Sequence, residues 1–160
     1  MTTANLSVGR FFMTAMPIRI NFLIEEYQRQ YLNQPFFALM IDGDLQIWLD
    51  DQLYFQASIA LVEFAFCLNQ WLTKAKRLEQ ATPLAYYTID HDEREGALLR
   101  LTPVNAAEYT VESIWQEFEC RQMIRHQDMK AAVETYFQQL DAAIRGYGDT
   151  DLATLLAPRL

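Results

Sequence analysis

The spacing of apolar residues changes along this chain, and that change restricts the fold more than any other feature. From Ile18 to Ile24 apolar side chains alternate with other residues, which is the period of a half-buried strand. Over 58–78 and 128–144 they recur every three or four residues, which is the period of an amphipathic helix. The pattern predicts a single α+β domain over 1–160. We expect one antiparallel sheet of five or six strands, with two main amphipathic helices packed on one face.

Turn signals divide the strand regions. Asp42-Gly43-Asp44 lies between the apolar runs 36–41 and 45–49, and it predicts a hairpin because a primed turn needs positive φ. Two further strands are predicted over 84–89 and 97–102, joined by the acidic segment 90–96. Residues 109–120 fit a helix or a strand, and their Thr, Val, Ile and Trp content favours a strand with a bulge.

Stop signals set the helix ends. The first helix is predicted from Ser58 to Leu78 and closed by Thr82-Pro83, and the second is stopped by Gly146. Asp149 or Thr150 would cap a last short helix. We therefore expect a mobile N-terminus over 1–16 and a short C-terminal helix or tail over 149–160. A chain of 160 residues can bury a core without disulfides or metal.

The charge balance excludes several function classes. Asp and Glu number 21 against 13 Lys and Arg, which gives a net charge of −8. Such a surface repels phosphate backbones and anionic lipids, so no nucleic acid and no membrane is expected as a partner. Cys67 and Cys120 form neither a disulfide framework nor a metal-binding pair, which indicates the reducing cytoplasm.

Motifs for catalysis are missing from the sequence. It has no Gly-x-Ser-x-Gly nucleophile turn, no phosphate-binding loop and no dinucleotide fingerprint. Asp90-His91-Asp92 is the one place where a His stands among carboxylates, so a metal-dependent enzyme using these residues is one alternative. The carboxylates of 42–51 suit a hard cation, but a turn explains them as well. We expect no enzyme, no catalytic residue, no cofactor and no metal.

Acidic and aromatic residues instead indicate a protein-binding surface. Carboxylates concentrate in 42–51, 90–95 and 108–119, where a cationic partner would be attracted electrostatically. Aromatic side chains on an uncovered sheet face would act as anchors. The residues predicted to bind the partner are Asp50, Asp51, Asp90, Asp92, Glu93, Glu95, Trp48, Tyr87 and Trp115.

The chain resembles the immunity proteins of bacterial polymorphic toxin systems, including those of contact-dependent growth inhibition. The resemblance lies in size, acidity, the hairpin-to-aromatic-helix pattern of 36–72 and the strand-then-helix pattern of 115–140. It implies a cytoplasmic, non-catalytic protein that binds a basic toxin, often a nuclease, and occludes its active or substrate-binding surface. The free protein would be a monomer or a homodimer. The other alternative is a homodimeric structural or adaptor domain that associates through its open sheet face.

Overall fold

The structure is a computed structural model that describes residues 17–89 and 91–157. These residues form two antiparallel sheets and three α-helices. The first sheet has strands β1 (Ile18–Tyr27), β2 (Ile41–Leu49) and β3 (Gln52–Ala60) in that order. The second has β4 (Leu84–Tyr86), β5 (Leu99–Pro103), β6 (Glu108–Glu112) and β7 (Ile124–Arg125). The helices are α1 (Leu61–Leu78), α2 (His126–Arg145) and α3 (Leu152–Leu156).

The α+β class and the two main amphipathic helices are therefore confirmed, whereas the single sheet of five or six strands is wrong. The seven strands divide into sheets of three and four. One reason is that the outer edge of β3 is already occupied. The amide of Glu117 donates to the carbonyl of Tyr54 at 2.8 Å, so an irregular segment after β6 lies where a further strand would pair.

The hairpin predicted at Asp42-Gly43-Asp44 is wrong, because β2 runs through these residues without turning. The turn lies instead at Asp50-Asp51, whose φ angles of 51° and 65° are those of a primed turn. Gly43 serves a different purpose. A Cβ there would collide with the carbonyl of Leu23 and lie 2.6 Å from Leu61 Cδ1, so the glycine allows a close approach.

Strand β3 was not predicted, and the helix boundaries differ by a few residues. The first helix begins at Leu61 rather than Ser58, and it ends before Thr82-Pro83 because Glu79 adopts the left-handed conformation. Between 109 and 120 only the part up to Glu112 is a strand. The stop at Gly146 is confirmed, and the cap of α3 is Asp151, not Asp149 or Thr150. The prediction for 1–16 lies outside the described residues.

A row of aromatic rings joins the two sheets through the helices. Phe22 of β1 meets Tyr136 of α2 edge-on at 5.6 Å, and Tyr136 meets Phe64 of α1 at 5.5 Å. Phe64 in turn contacts Tyr86 of β4 at 4.8 Å. The Tyr136 hydroxyl donates to the carbonyl of Leu61 at 2.7 Å, which satisfies its one polar group inside the core.

Candidate functional site

Two acidic loops meet at one side of the molecule and form the candidate site. We call residues 91–96 and 113–119 the acidic loop pair. The first loop precedes β5, and the second follows β6. The amide of Ile114 donates to the carbonyl of Ala97 at 3.2 Å, and the rings of His91 and Trp115 lie 4.9 Å apart, edge to face. Loops that are separate in sequence therefore form one surface.

Trp115 is the aromatic centre of this surface. Its ring stacks on Phe55 of β3 with centroids 6.4 Å apart and an interplanar angle of 9°. Phe55 is buried, whereas 43% of Trp115 remains exposed. One face of the indole is therefore fixed by the core while part of the ring is available to a partner, as is typical of interface anchors.

The first loop is shaped by its own sequence. Asp92 caps a short 3-10 helix by accepting a hydrogen bond from the Arg94 amide at 2.9 Å. Gly96 ends the turn at φ 111°, and a Cβ there would lie 2.7 Å from Ile114 Cγ2. This local geometry leaves Glu93 and Glu95 exposed on the surface.

His91 lies beneath the loop rather than in solvent. Its side chain is 12% exposed, and the carboxylate of Glu95 lies 3.2 Å from Nε2. The contact is not aligned as a hydrogen bond, and Nε2 has no other hydrogen-bonding partner among the described residues. The imidazole thus packs edge to face against Trp115, with the Glu95 carboxylate close to its Nε2 atom.

The second loop is bound to β3. The Tyr54 hydroxyl donates to Gln116 Oε1 at 2.7 Å, and the ring of Phe118 meets that of Tyr54 at 5.4 Å. Burial raises the pKa of Tyr54, so this hydroxyl stays protonated and remains a donor. Three residues of β3, about 10 Å of strand, separate Tyr54 from the Asp50-Asp51 turn, where the Asp50 amide donates to the carbonyl of Pro17 at 2.9 Å.

The surface is strongly negative. The acidic loop pair contains five carboxylates and one Arg. Arg94 lies 3.3 Å from Asp92, and Arg121, just beyond the loop, lies 3.6 Å from Glu119. Both ion pairs are exposed, so each contributes little to stability. The carboxylates still outnumber the Arg side chains, so the surface keeps a net negative charge. The acidity of 108–119 is the sequence feature that points to Glu117 and Glu119.

The structure brings together some of the predicted residues and separates others. The Tyr87 hydroxyl accepts from Arg100 Nη2 at 2.7 Å, and Arg100 lines a cavity of about 240 Å³ together with residues of both loops. Tyr87, Asp92, Glu93, Glu95 and Trp115 therefore belong to one region, whereas no hydrogen bond joins Asp50 or Asp51 to it among the described residues. Asp90 lies outside the described residues.

Trp48 lies on the face of the first sheet that is opposite to Trp115. Its neighbour Ile47 is buried and pairs with Phe55, the residue on which Trp115 stacks. Because successive side chains of a strand point to opposite faces, Trp48 points away from Trp115. There Arg19 lies over its ring at 5.3 Å, and its indole N–H donates to Gln46 at 3.1 Å.

Among the described residues, the two thiols are possible nucleophiles and grouped side chains are possible metal ligands. Burial raises the pKa of Cys67 to about 11, and Glu63 adds to the effect. Burial also raises the pKa of Cys120, so neither thiol is activated as a thiolate. Between 17 and 157, leaving out Asp90, no three His, Cys, Asp or Glu side chains are grouped so that they could hold a metal ion.

Comparison with known proteins gives one match. A family profile described as "Domain of unknown function (DUF7878)" matches residues 18–146. The chain belongs to this family. The DUF7878 match runs from the start of β1 to the residue after α2 and includes the acidic loop pair. No curated protein and no solved structure gives a significant match. Among the described helices, none has the length and apolarity needed to cross a bilayer.

Proposed function

We propose that this chain is a non-catalytic binding protein that neutralises a cognate basic toxin, a nuclease, by occluding its active or substrate-binding surface. The acidic loop pair is the proposed contact. The main observation in favour is that Trp115, which is 43% exposed, lies among the five carboxylates of the loops and stacks on the buried ring of Phe55. An aromatic anchor surrounded by charges of one sign fits a cationic groove.

The two parts of the surface would act at different stages of binding. Exposed carboxylates attract a cationic partner over several ångströms and raise the association rate, an effect that salt reduces. A partly buried indole gives apolar contact area after docking, which mainly slows dissociation. A nuclease that binds the phosphate backbone presents many Lys and Arg side chains, and the loop carboxylates would occupy the same groove.

The acidic loops can be tested by removing their charge while keeping their shape. The variant is Asp92→Asn, Glu93→Gln and Glu95→Gln, in which the amide oxygen introduced at position 92 can still cap the 3-10 helix. We expect association with the proposed basic toxin domain to slow about tenfold at low salt, because electrostatic steering contributes roughly 10 to 10³-fold. Stopped-flow mixing at several salt concentrations measures this rate.

A matched control loses three carboxylates outside the loops: Glu26→Gln, Glu79→Gln and Glu134→Gln. Both variants have the same net charge, so only the position of the charges differs. The control should associate at nearly the wild-type rate. Equal slowing in both variants would assign the effect to overall charge and not to the acidic loop pair. The proposed function itself fails if cells that express this toxin domain die equally with and without the chain.

A further inference from the structure

A groove on the outer side of α1 combines apolar, polar and cationic side chains, and it shares no residue with the acidic loop pair. It has a volume of about 580 Å³. Leu156 of α3 lines one part of it, and the other lining residues all belong to α1: Phe66, Asn69, Gln70, Thr73, Lys74 and Arg77. Because these six residues recur every three or four positions, they form one stripe along the helix.

Lys74 and Arg77 give this stripe a positive charge in a protein of net charge −8. Both are exposed, and neither forms an ion pair within 17–89 and 91–157. Other cations of these ranges do lie within 3.7 Å of a carboxylate: Arg29, Lys76, Arg94, Arg100, Arg121 and Arg145. No residue that lines the groove is acidic, so both charges are available to a ligand.

Phe66 gives the stripe an apolar end. It is 47% exposed, whereas Phe64 and Leu68, two residues before and after it, are buried on the other side of α1. A cation in the last turn of a helix offsets the macrodipole, which by itself would explain the position of Arg77. The macrodipole does not explain an exposed aromatic ring in the same groove. Aromatic side chains are enriched where proteins bind one another.

The helix sets the distance between the apolar and the cationic parts of the groove. Its rise of about 1.5 Å per residue places Lys74 about 12 Å and Arg77 about 16 Å from Phe66 along the axis. An extended peptide covers about 3.3 Å per residue. A bound extended segment that meets all three side chains therefore needs an apolar residue and carboxylates that are about four or five residues apart.

We infer that this groove binds an acidic segment of a partner protein, in which an apolar side chain packs on Phe66 and carboxylates pair with Lys74 and Arg77. Charge complementarity selects this chemistry. Nucleic acid fits less well, because the negative surface elsewhere repels its phosphates and two cations contact few of them. The inference does not depend on the proposed function, in which a basic partner contacts the acidic loop pair.

A set of synthetic peptides tests the spacing with the full chain. Each peptide carries one Phe in a Gly-Ser background and two adjacent Glu residues, placed one to seven residues before or after the Phe. Fluorescence anisotropy at low salt measures the dissociation constants. We expect the highest affinity at a separation of four or five residues and about tenfold lower affinity at one or two, where only one end of the groove is reached. Absence of binding, or an affinity that does not depend on the separation, overturns the inference.

Variants of the groove test which residues make the contact. Lys74→Gln with Arg77→Gln should weaken the best peptide about tenfold at low salt, and Phe66→Ala should weaken it without changing the salt dependence. Arg125→Gln with Lys130→Gln is the matched control, since it removes two cations outside the groove that also lack ion pairs among the described residues. It should bind like the wild type, and far-UV circular dichroism of every variant checks the fold. Equal weakening in the control would assign the binding to overall charge and overturn the inference.

Two other occupants are distinguished by the same assay. Residues 158–160 lie outside the described residues and follow Leu156 closely in sequence, so a chain that ends at Ala157 should bind the best peptide with unchanged affinity. Binding that becomes about tenfold tighter would assign the groove to the end of this chain and overturn the inference. Vesicles of phosphatidylcholine and phosphatidylserine should not displace the peptide, and displacement would assign the groove to anionic lipid instead.

Discussion

Single residues in this chain have roles that their local sequence does not reveal. Gly43 follows Asp42 and has the sequence context of a turn, yet it lies inside β2 between Ile24 of β1 and Ile59 of β3. Its missing side chain lets Leu61 pack directly on the strand. A turn and a close approach both favour glycine, and the sequence alone does not distinguish between them.

The packing role of Gly43 gives the first stability prediction. Gly43→Ala should lower the free energy of unfolding by about 1–3 kcal/mol, because the new methyl group overpacks the space between Leu23 and Leu61. Urea unfolding measures the change. Gly148→Ala is the comparison, since Gly148 has φ 82° and no described residue beyond its chain neighbours would lie within 4 Å of the new methyl group. That variant tests backbone strain alone, and a greater loss there than at Gly43 would contradict the packing role.

His126 has a pH-dependent role that its sequence position does not indicate. Tyr109 accepts a hydrogen bond from the Thr82 amide at 2.8 Å, so its own hydroxyl proton is free to donate to His126 Nδ1, also at 2.8 Å. This arrangement needs the neutral imidazole. Burial lowers the pKa of His126, and the nearby Lys130 lowers it further.

The folded protein should therefore lose stability as acid protonates His126. Its pKa is lower in the folded than in the unfolded chain, so the unfolded chain binds more protons. The contribution is complete above the ordinary pKa of about 6.5 and is lost progressively as pH falls towards the folded value. Urea unfolding of wild type and His126→Asn from pH 8 to 5 isolates this term. Identical pH profiles for the two proteins would contradict it.

At the scale of elements, the sequence predicted helices more accurately than strands. The apolar spacing that identifies α1 and α2 lies within each helix's own segment, so the ends of both helices were predicted to within about three residues. Strand β3 was not found, because its burial depends on neighbours from other parts of the chain. Tyr54 and Phe55 are adjacent and both buried, which breaks the alternation expected of a half-buried strand.

The true hairpin turn allows a test at this scale. Asp50 and Asp51 both have positive φ, which costs an ordinary residue roughly 1 kcal/mol. Asp50→Asn with Asp51→Gly introduces the sequence that type I′ turns favour, and it should raise the free energy of unfolding by roughly 1 kcal/mol. Gln52→Gly, directly after the turn in extended β3, is the control and should destabilise. A loss of stability in the turn variant would argue against a primed turn.

At the scale of the whole molecule, the two sheets share one core. The aromatic row from Phe22 to Tyr86 crosses both helices, and the buried apolar side chains from Ile20 to Leu155 form a single cluster. No apolar layer of the described residues belongs to one sheet alone. Elements that depend on the same buried side chains gain and lose their stability together.

We therefore expect a single unfolding transition. Tryptophan fluorescence reports on Trp48 in β2, Trp71 in α1 and Trp115 in the second loop, whereas far-UV circular dichroism reports on the backbone. The two signals should give the same urea midpoint. A fluorescence change that precedes the loss of circular dichroism would show instead that part of the structure unfolds separately.

The residues of the candidate site could be proposed one by one from the sequence, but their arrangement as a surface could not. Charge density pointed to the carboxylates of 90–95, and residue type suggested Trp115 as a candidate anchor. The sequence did not reveal that His91 contacts Trp115, or that Ile47 and Phe55 place Trp48 on the other face. Those relations join segments that are distant in sequence.

The sequence by itself determined the α+β class, the two long helices and the negative charge, because each depends on composition or on spacing within one segment. Tertiary structure decided the division into two sheets, the position of the hairpin turn and the meeting of the two acidic loops. These outcomes depend on which distant backbone groups pair, as Glu117 does with Tyr54. A local pattern cannot specify its partner when several edges compete for the same hydrogen bonds.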